Sequence, residues 1–333
     1  MSYYFLVVIL INLLFITHFS KILSIIKVID SPNQSHKTHK ENIPAIGGIL
    51  LFINIIILVT YSFLKKEIFF SNTSVFNNTN ELIYFFTVYS FFFLKGVFDD
   101  VKNINANIKF LLSILFIIFL IFFDDKILLK TLVFKDMNLE INLSFMKTFF
   151  TIFCFITFIN ALNMFDGINL QVSLYSILVT LFLIIKLGND LLLFTTIIFL
   201  TFFSFLNYRS KCFLGDSGSL GLGFIFSYYF VKSYNIDQII LCDEIFLIML
   251  IPGLEMMRLT ISRLLKARHP FSADQNHLHH LLNKNISVEK TLLVSLSLIL
   301  IPVIINELIN ETIPIILITT FIYIFLIFKL KKL

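Results

Sequence analysis

Apolar residues along this chain gather into long runs separated by short polar connections. Crossing a bilayer takes ~20 residues of helix. Runs of about that length fall near residues 3–26, 45–64, 81–98, 107–123, 146–165, 169–187, 190–207, 218–234, 239–258, 288–306 and 312–328. In hydrocarbon each backbone amide must be satisfied within its own segment, so the runs predict helices. The expected fold is therefore all-α: a polytopic integral membrane protein with about eleven transmembrane helices. Nothing divides the chain, and residues 1–333 read as a single membrane domain without a repeat of 20–50 residues. The first run lacks a basic leading region and a small-residue cleavage site, so it is expected to be a retained span and not a signal peptide. Residues 127–145 alternate apolar and polar positions around Lys135-Asp136-Met137-Asn138, which predicts a short hairpin lying on the membrane surface.

Composition supports the membrane reading. Of 333 residues, 58% are hydrophobic and 14% charged, and the mean hydropathy is +0.91. Soluble domains carry about 25% charged residues, so a soluble fold, a disordered chain and a disulfide scaffold are excluded. The 42 Phe residues fit the bias of an AT-rich genome and are given no functional weight. Cys154, Cys212 and Cys242 stand singly in apolar surroundings, as core residues do. The net charge of +5 reads as a positive-inside bias and not as a nucleic-acid footprint. With the connections after alternate spans placed on one side together with the C-terminal tail, that side holds 18 of the 26 Lys and Arg residues. It is expected to be cytoplasmic, with the N-terminus outside.

Acids, amides and histidines cluster in the connections on that same side. Asp99 and Asp100 end a span, where ionised acids are costly unless used; two adjacent carboxylates suit a proton acceptor or a divalent cation. Asn160, Asn163 and Asp166 follow one another every third residue and drift along one helix face, with oxygens suited to a hard cation such as Mg²⁺. A helix end capped by Asp166, with Gly167 in the left-handed region, would account for part of that pattern. Phe213-Leu214-Gly215-Asp216-Ser217-Gly218-Ser219 opens a span, and a helix start of this kind favours phosphate; Asp216 would serve there as a cap or a metal ligand. His277, His279 and His280 have poor spacing for zinc. After Arg263, Lys266, Arg268 and His269 they read as a cationic clamp for phosphates. The first connection adds His36-Lys37-Thr38-His39-Lys40 and Pro44-Ala45-Ile46-Gly47-Gly48.

Together, Asp30-Ser31-Pro32-Asn33, HKTHKENIPAIGG (36–48), GVFDD (96–100), NALNMFDGIN (160–169), FLGDSGS (213–219) and SADQNHLHH (272–280) resemble the polyprenyl-phosphate N-acetylhexosaminyl-1-phosphate transferase family. The likeness runs through almost the whole chain in order. It implies a Mg²⁺-dependent enzyme, with Mn²⁺ as an alternative ion, in a bacterial cytoplasmic membrane with its active site facing the cytoplasm. The implied reaction transfers N-acetylhexosamine-1-phosphate, GlcNAc-1-phosphate first among the choices, from a UDP-sugar to undecaprenyl phosphate. UMP leaves, and a surface glycan such as lipopolysaccharide or a cell-wall polymer is begun. The implied partners are UDP-N-acetylhexosamine, undecaprenyl phosphate and the lipid bilayer, with no nucleic acid and with a homodimer left open.

Residue by residue, the resemblance implies a metal site at Asp216 and Asn163. It gives Asp99 the position of a base for the acceptor, Asp100 a supporting role and Asp166 a place among the catalytic acids that also touch the nucleotide. Lys37, His39, Asn160, Asn169, Phe213, His277, His279 and His280 take substrate-binding positions, Phe213 as a uracil-stacking ring. His36 stands where an Arg is common, Asn169-Leu170-Gln171 where Asp-Gly-Leu is usual, and Glu255 where an Asp is common. These departures bear on sugar and nucleotide specificity. Two rival readings remain: the muramoyl-pentapeptide transferase branch, and an ion-coupled secondary transporter, whose acids would lie near mid-bilayer.

Overall fold

The computed structural model describes residues 2–26, 28–30, 42–102, 104–236, 239–270 and 275–332. Among these residues the chain is helical apart from two small antiparallel ribbons. In order come α1 (Ser2–Thr17), α2 (Phe19–Ile25), β1 (Ile29–Asp30), β2 (Ile43–Pro44), α3 (Gly47–Leu64), α4 (Lys66–Phe70), α5 (Thr79–Lys102) and α6 (Ala106–Phe123). Then follow β3 (Thr131–Phe134), β4 (Leu139–Asn142), α7 (Lys147–Phe165), α8 (Gln171–Leu187), α9 (Leu191–Tyr208), α10 (Gly215–Asn235) and α11 (Cys242–Leu265). The chain closes with α12 (Leu278–Asn283), α13 (Val288–Ile309) and α14 (Thr312–Lys332).

Each of the eleven apolar runs is helical, but they are not equivalent as spans. Among the described residues, eight helices are long and apolar enough to cross a membrane, or nine if α1 and α2 count as one. Those two meet at an angle of 74°, so the first run is a broken element where one straight span was expected. The 17-residue α8 is short. Helix α10 is long enough, but Gly, Ser, Asp216 and Lys232 dilute its apolar character. The expected hairpin is present, with Phe134 paired to Leu139 across the turn at 135–138.

Helix α10 is the axis of the molecule. Every residue from Ser217 to Tyr234 is buried, as expected for a helix without a polar face. It packs against α3, α5, α7 and α8. Small residues at its start allow the backbones to close in, the usual way of bringing helices together where lipid offers no hydrophobic drive. A Cβ on Gly48 of α3 would lie 2.4 Å from the Gly218 nitrogen, and one on Gly96 of α5 2.3 Å from the Ser217 Cα. Between α1 and α3 a buried amide pair adds polar adhesion, with Asn12 donating to Asn54 at 2.7 Å.

The far end of α10 is fixed by charge. The fully buried Lys232 donates to Glu81 and Asp124, each at 2.7 Å, and to the Tyr228 hydroxyl at 2.8 Å. Lys126 closes the network on Glu81 at 2.8 Å. Glu81 belongs to α5, so α5 and α10 are tied together at the end opposite Asp99, Asp100 and Asp216.

Candidate functional site

The head of α10 is where the separated motifs meet. Gly215 enters the helix at φ +74°, a left-handed conformation that turns the chain sharply into its first turn. The preceding segment is stitched to the entrance of α3: Phe213 N–H donates to Pro44, while Gly47 and Gly48 donate to Phe213 and Leu214, all within 2.8–3.0 Å. Phe213 thereby sits on a fixed backbone beside the first connection.

Asp216 is not the cap of α10. The first helical amides, those of Asp216 and Ser217, donate to the Asp100 carboxylate of α5 at 2.8 and 3.2 Å. A cap supplied by another helix satisfies free N–H groups, places negative charge at the positive end of the dipole, and leaves the Asp216 side chain for other work. That side chain shares a hydrogen bond with Asp99. Asp99 is buried, accepts the Ile104 N–H at 2.9 Å and is ion-paired with Lys109. Three carboxylates from two helices thus crowd one point, and like charges this close call for a shared proton or a cation.

Helix α7 completes the wall. Asn163 accepts from the Ser219 hydroxyl of α10 at 2.5 Å. Asn160 is turned back on its own helix, its amide donating to the Ile156 carbonyl at 2.8 Å. Asp166 stands just past the end of α7, at φ −77°. Its burial and the charge of Asp100 push its carboxyl up to about 7. Gly167 is not in the left-handed region; only Gly188 and Gly215 are, among the described glycines. Close approach is what requires it, because a Cβ there would lie 2.0 Å from Nε2 of His279. Leu170 takes the positive φ instead, at 67°, with its N–H held by Asn207 at 2.6 Å. Asn169 donates to Ser210 at 2.7 Å, toward the connection that leads into Phe213.

His277, His279 and His280 form one ring cluster, with His279 and His280 centroids 4.3 Å apart. Burial and the two neighbouring rings push the His279 imidazolium well below its usual range, so that ring is neutral at pH 7. The expectation of a cationic clamp is thus corrected at this position: a desolvated histidine offers a hydrogen bond and no charge. Among the described residues its Nε2 has no hydrogen-bond partner. Lys37 and His39 lie outside the described residues.

The residues present suit a metal that keeps an open coordination sphere. Mg²⁺ is bound through one or two carboxylates plus water and substrate phosphates, not by a closed protein cage. Asp216 beside Asp99 and Asp100, with the amide of Asn163 one helix away, supplies hard oxygen donors of that kind. Among the described residues no group of three or more His, Cys, Asp or Glu side chains is placed to hold a metal ion by itself.

This arrangement can be set beside known proteins. The family model described as glycosyl transferase family 4 matches residues 82–234, the stretch that holds the acids, Asn163 and nearly all of α10. Over that stretch the chain is similar to glycosyl transferase family 4. Among its relatives, the undecaprenyl-phosphate alpha-N-acetylglucosaminyl 1-phosphate transferase of Thermotoga maritima is 28% identical over 81% of this chain and 77% of its own length. The Escherichia coli K12 protein of the same name is 26% identical over 81% and 72%. A phospho-N-acetylmuramoyl-pentapeptide-transferase of Staphylococcus haemolyticus is 32% identical over 58% and 63%. The family match ends before the histidine cluster, which meets the α7 end of the site through the contact of His279 with Gly167.

Two members of the site escaped sequence reasoning, and a third, Glu255, stood out only as a departure from the resembled pattern. Lys109 counts as one more positive-inside residue until the fold pairs it with Asp99. Asn207 is a lone amide near the end of an apolar helix, yet it bridges Leu170 and the Cys212 carbonyl and joins both connections. Glu255 is buried on α11 and accepts from the Leu278 N–H at 2.9 Å. The one sequence signal for these residues is a polar side chain inside an apolar run, which is expensive in a membrane unless used.

Proposed function

We propose that this chain transfers N-acetylglucosamine-1-phosphate from its UDP-sugar to undecaprenyl phosphate, releasing UMP. The observation that carries the reading is the meeting of Asp99, Asp100 and Asp216 at the start of α10, in a chain whose relatives covering most of it bear that activity in their names. An oxygen of the lipid phosphate attacks the sugar-bearing phosphorus of the UDP-sugar; the bond to the UMP phosphate breaks, and UMP takes the electron pair. Both reactants are anions, so charge neutralisation and in-line placement are what the protein has to supply.

Mg²⁺, held by Asp216 and Asn163, would offset the charge of the pyrophosphate. Asp99, kept in place by Lys109 and the Ile104 amide, orients the acceptor or takes its proton; Asp100 fixes the start of α10. Asp166 and Asn169 face the nucleotide, Phe213 stacks on its base, and His277, His279 and His280 reach the nucleotide-sugar together with Lys37 and His39 of the first connection. The bias of Lys and Arg supports a cytoplasmic site in a bacterial inner membrane. The muramoyl-pentapeptide relative covers a smaller part of the chain and gives that reading less support. The carboxylates sit at helix ends, which weighs against an ion path through mid-bilayer.

The test uses membranes holding the full chain, Mg²⁺, undecaprenyl phosphate and a panel of UDP-N-acetylhexosamines labelled in the sugar. Labelled lipid and UMP are expected, foremost from UDP-N-acetylglucosamine. Absence of labelled lipid with every donor, from folded protein, overturns the reading.

A further inference from the structure

Glu255 is buried, at 5% exposure, past the middle of α11. Its carboxylate is engaged on every side. Arg258 of the same helix donates to both oxygens at 3.0 Å, and the Tyr323 hydroxyl of α14 bonds Oε1. The Leu278 N–H, which opens the short helix carrying the histidines, reaches Oε2 at 2.9 Å. Arg258 also donates to the Asn276 carbonyl at 2.6 Å and to the Tyr323 oxygen at 2.9 Å. Both the carbonyl before the histidine cluster and the amide inside it are therefore held by one ion pair. Leu278, held by that pair, and His279 after it are 1% and 3% exposed.

From Leu278 the next residue is His279, whose unpartnered Nε2 lies against Gly167, next to Asp166. The seating of the histidine cluster against that turn is thus tied, through the Leu278 amide, to a carboxylate of α11. We propose that Glu255, with Arg258 and Tyr323, is a positioning clasp that seats the histidine cluster against the Asp166–Gly167 turn and so governs affinity for the nucleotide-sugar, not for the lipid acceptor. The inference deepens the proposed function and rests on it. The last helix, remote from the acids in sequence, takes part in the site through Tyr323. One methylene less at position 255 could not reach Arg258 and the Leu278 amide together, so Glu255→Asp belongs with the disabling changes.

The experiment compares the full-length chain with Glu255→Gln, Glu255→Asp and Tyr323→Phe. Glu255→Gln keeps the shape and removes the charge; it should raise KM for the UDP-sugar about tenfold or more, with KM for undecaprenyl phosphate within about twofold of wild type. Tyr323→Phe leaves the ion pair intact and should raise the same KM about threefold, which guards against a variant that merely fails to fold. A lower kcat with both KM values unchanged marks a structural residue and overturns the clasp. Hydrogen exchange without substrate gives an independent reading: amides of residues 276–283 should exchange about tenfold faster in Glu255→Gln. Unchanged exchange there overturns the proposal even if wild type turns over no UDP-sugar, the result that would sink the function reading instead.

Discussion

Replacing Gly96 by Ala probes the contact on which the candidate site is built. The new Cβ would lie 2.3 Å from both the nitrogen and the Cα of Ser217, atoms of the α10 backbone that no rotamer change can move aside. Restoring an ordinary contact requires α5 and α10 to part by roughly 1 Å in an interior packed like a crystal. The Asp100–Asp216 amide bond, now 2.8 Å, would then stretch to roughly 4 Å, beyond hydrogen bonding. Overpacking costs about 1–3 kcal/mol, and a lost hydrogen bond to a charged acceptor about 1.5–3 kcal/mol. A displacement of this size at reacting groups lowers turnover about 10²-fold. Transfer of labelled sugar to lipid measures the turnover, and the fraction of protein surviving a heat ramp in detergent measures the stability. Gly253→Ala is the control: it lies within α11 with nothing within 4 Å of its Cβ, and should be neutral or stabilising by up to about 1 kcal/mol. If Gly96→Ala turns over and melts like Gly253→Ala, the close seating of α5 on α10 does not hold the site together.

Asp216→Asn should keep the fold and lower turnover at least about 10³-fold, and should lose the protein-bound Mn²⁺ that electron paramagnetic resonance is expected to detect with wild type; retained binding would remove Asp216 from the metal site. Lys232→Met should destabilise the protein by about 3–5 kcal/mol, because Glu81 and Asp124 are left buried without their shared cation, while KM for either substrate stays unchanged in the protein that remains folded. A raised Asp166 carboxyl means that the folded state binds this proton more tightly than the unfolded chain does. Stability from this group therefore falls as pH rises from about 4 through about 7. Asp166→Asn should then raise the melting temperature of substrate-free protein at about pH 8 and leave it unchanged at about pH 4; an equal shift at both would contradict the assignment.

The membrane fold was legible because spanning helices are written as uninterrupted apolar runs, and all eleven runs are helical. Their standing as spans was not legible. The bend at His18 has no Pro or Gly to announce it, and α10 is polar at its start because it is covered by other helices, not by lipid. Asp99, Asp100, Asn163 and Asp216 could be picked out as polar residues at the ends of apolar runs, where they are costly unless used. What each one does locally depends on a partner far away in sequence. Asp216 looks like a cap until Asp100 is seen to fill that role from 116 positions earlier. Gly167 looks like a left-handed stop until His279 is found against it. Asn160, in the same spacing as Asn163, spends its amide on its own helix, a difference that periodicity cannot express.

The measurement that bears most directly on the account uses UDP-N-acetylglucosamine carrying ³²P on the phosphate next to the sugar. Sugar-1-phosphate transfer puts that phosphorus into the butanol-extractable lipid and leaves unlabelled UMP in the water phase. Radioactivity that stays wholly in water as UDP, while sugar enters the lipid, would mean that the bond to the sugar is the one broken and would contradict the chemistry assigned to this site.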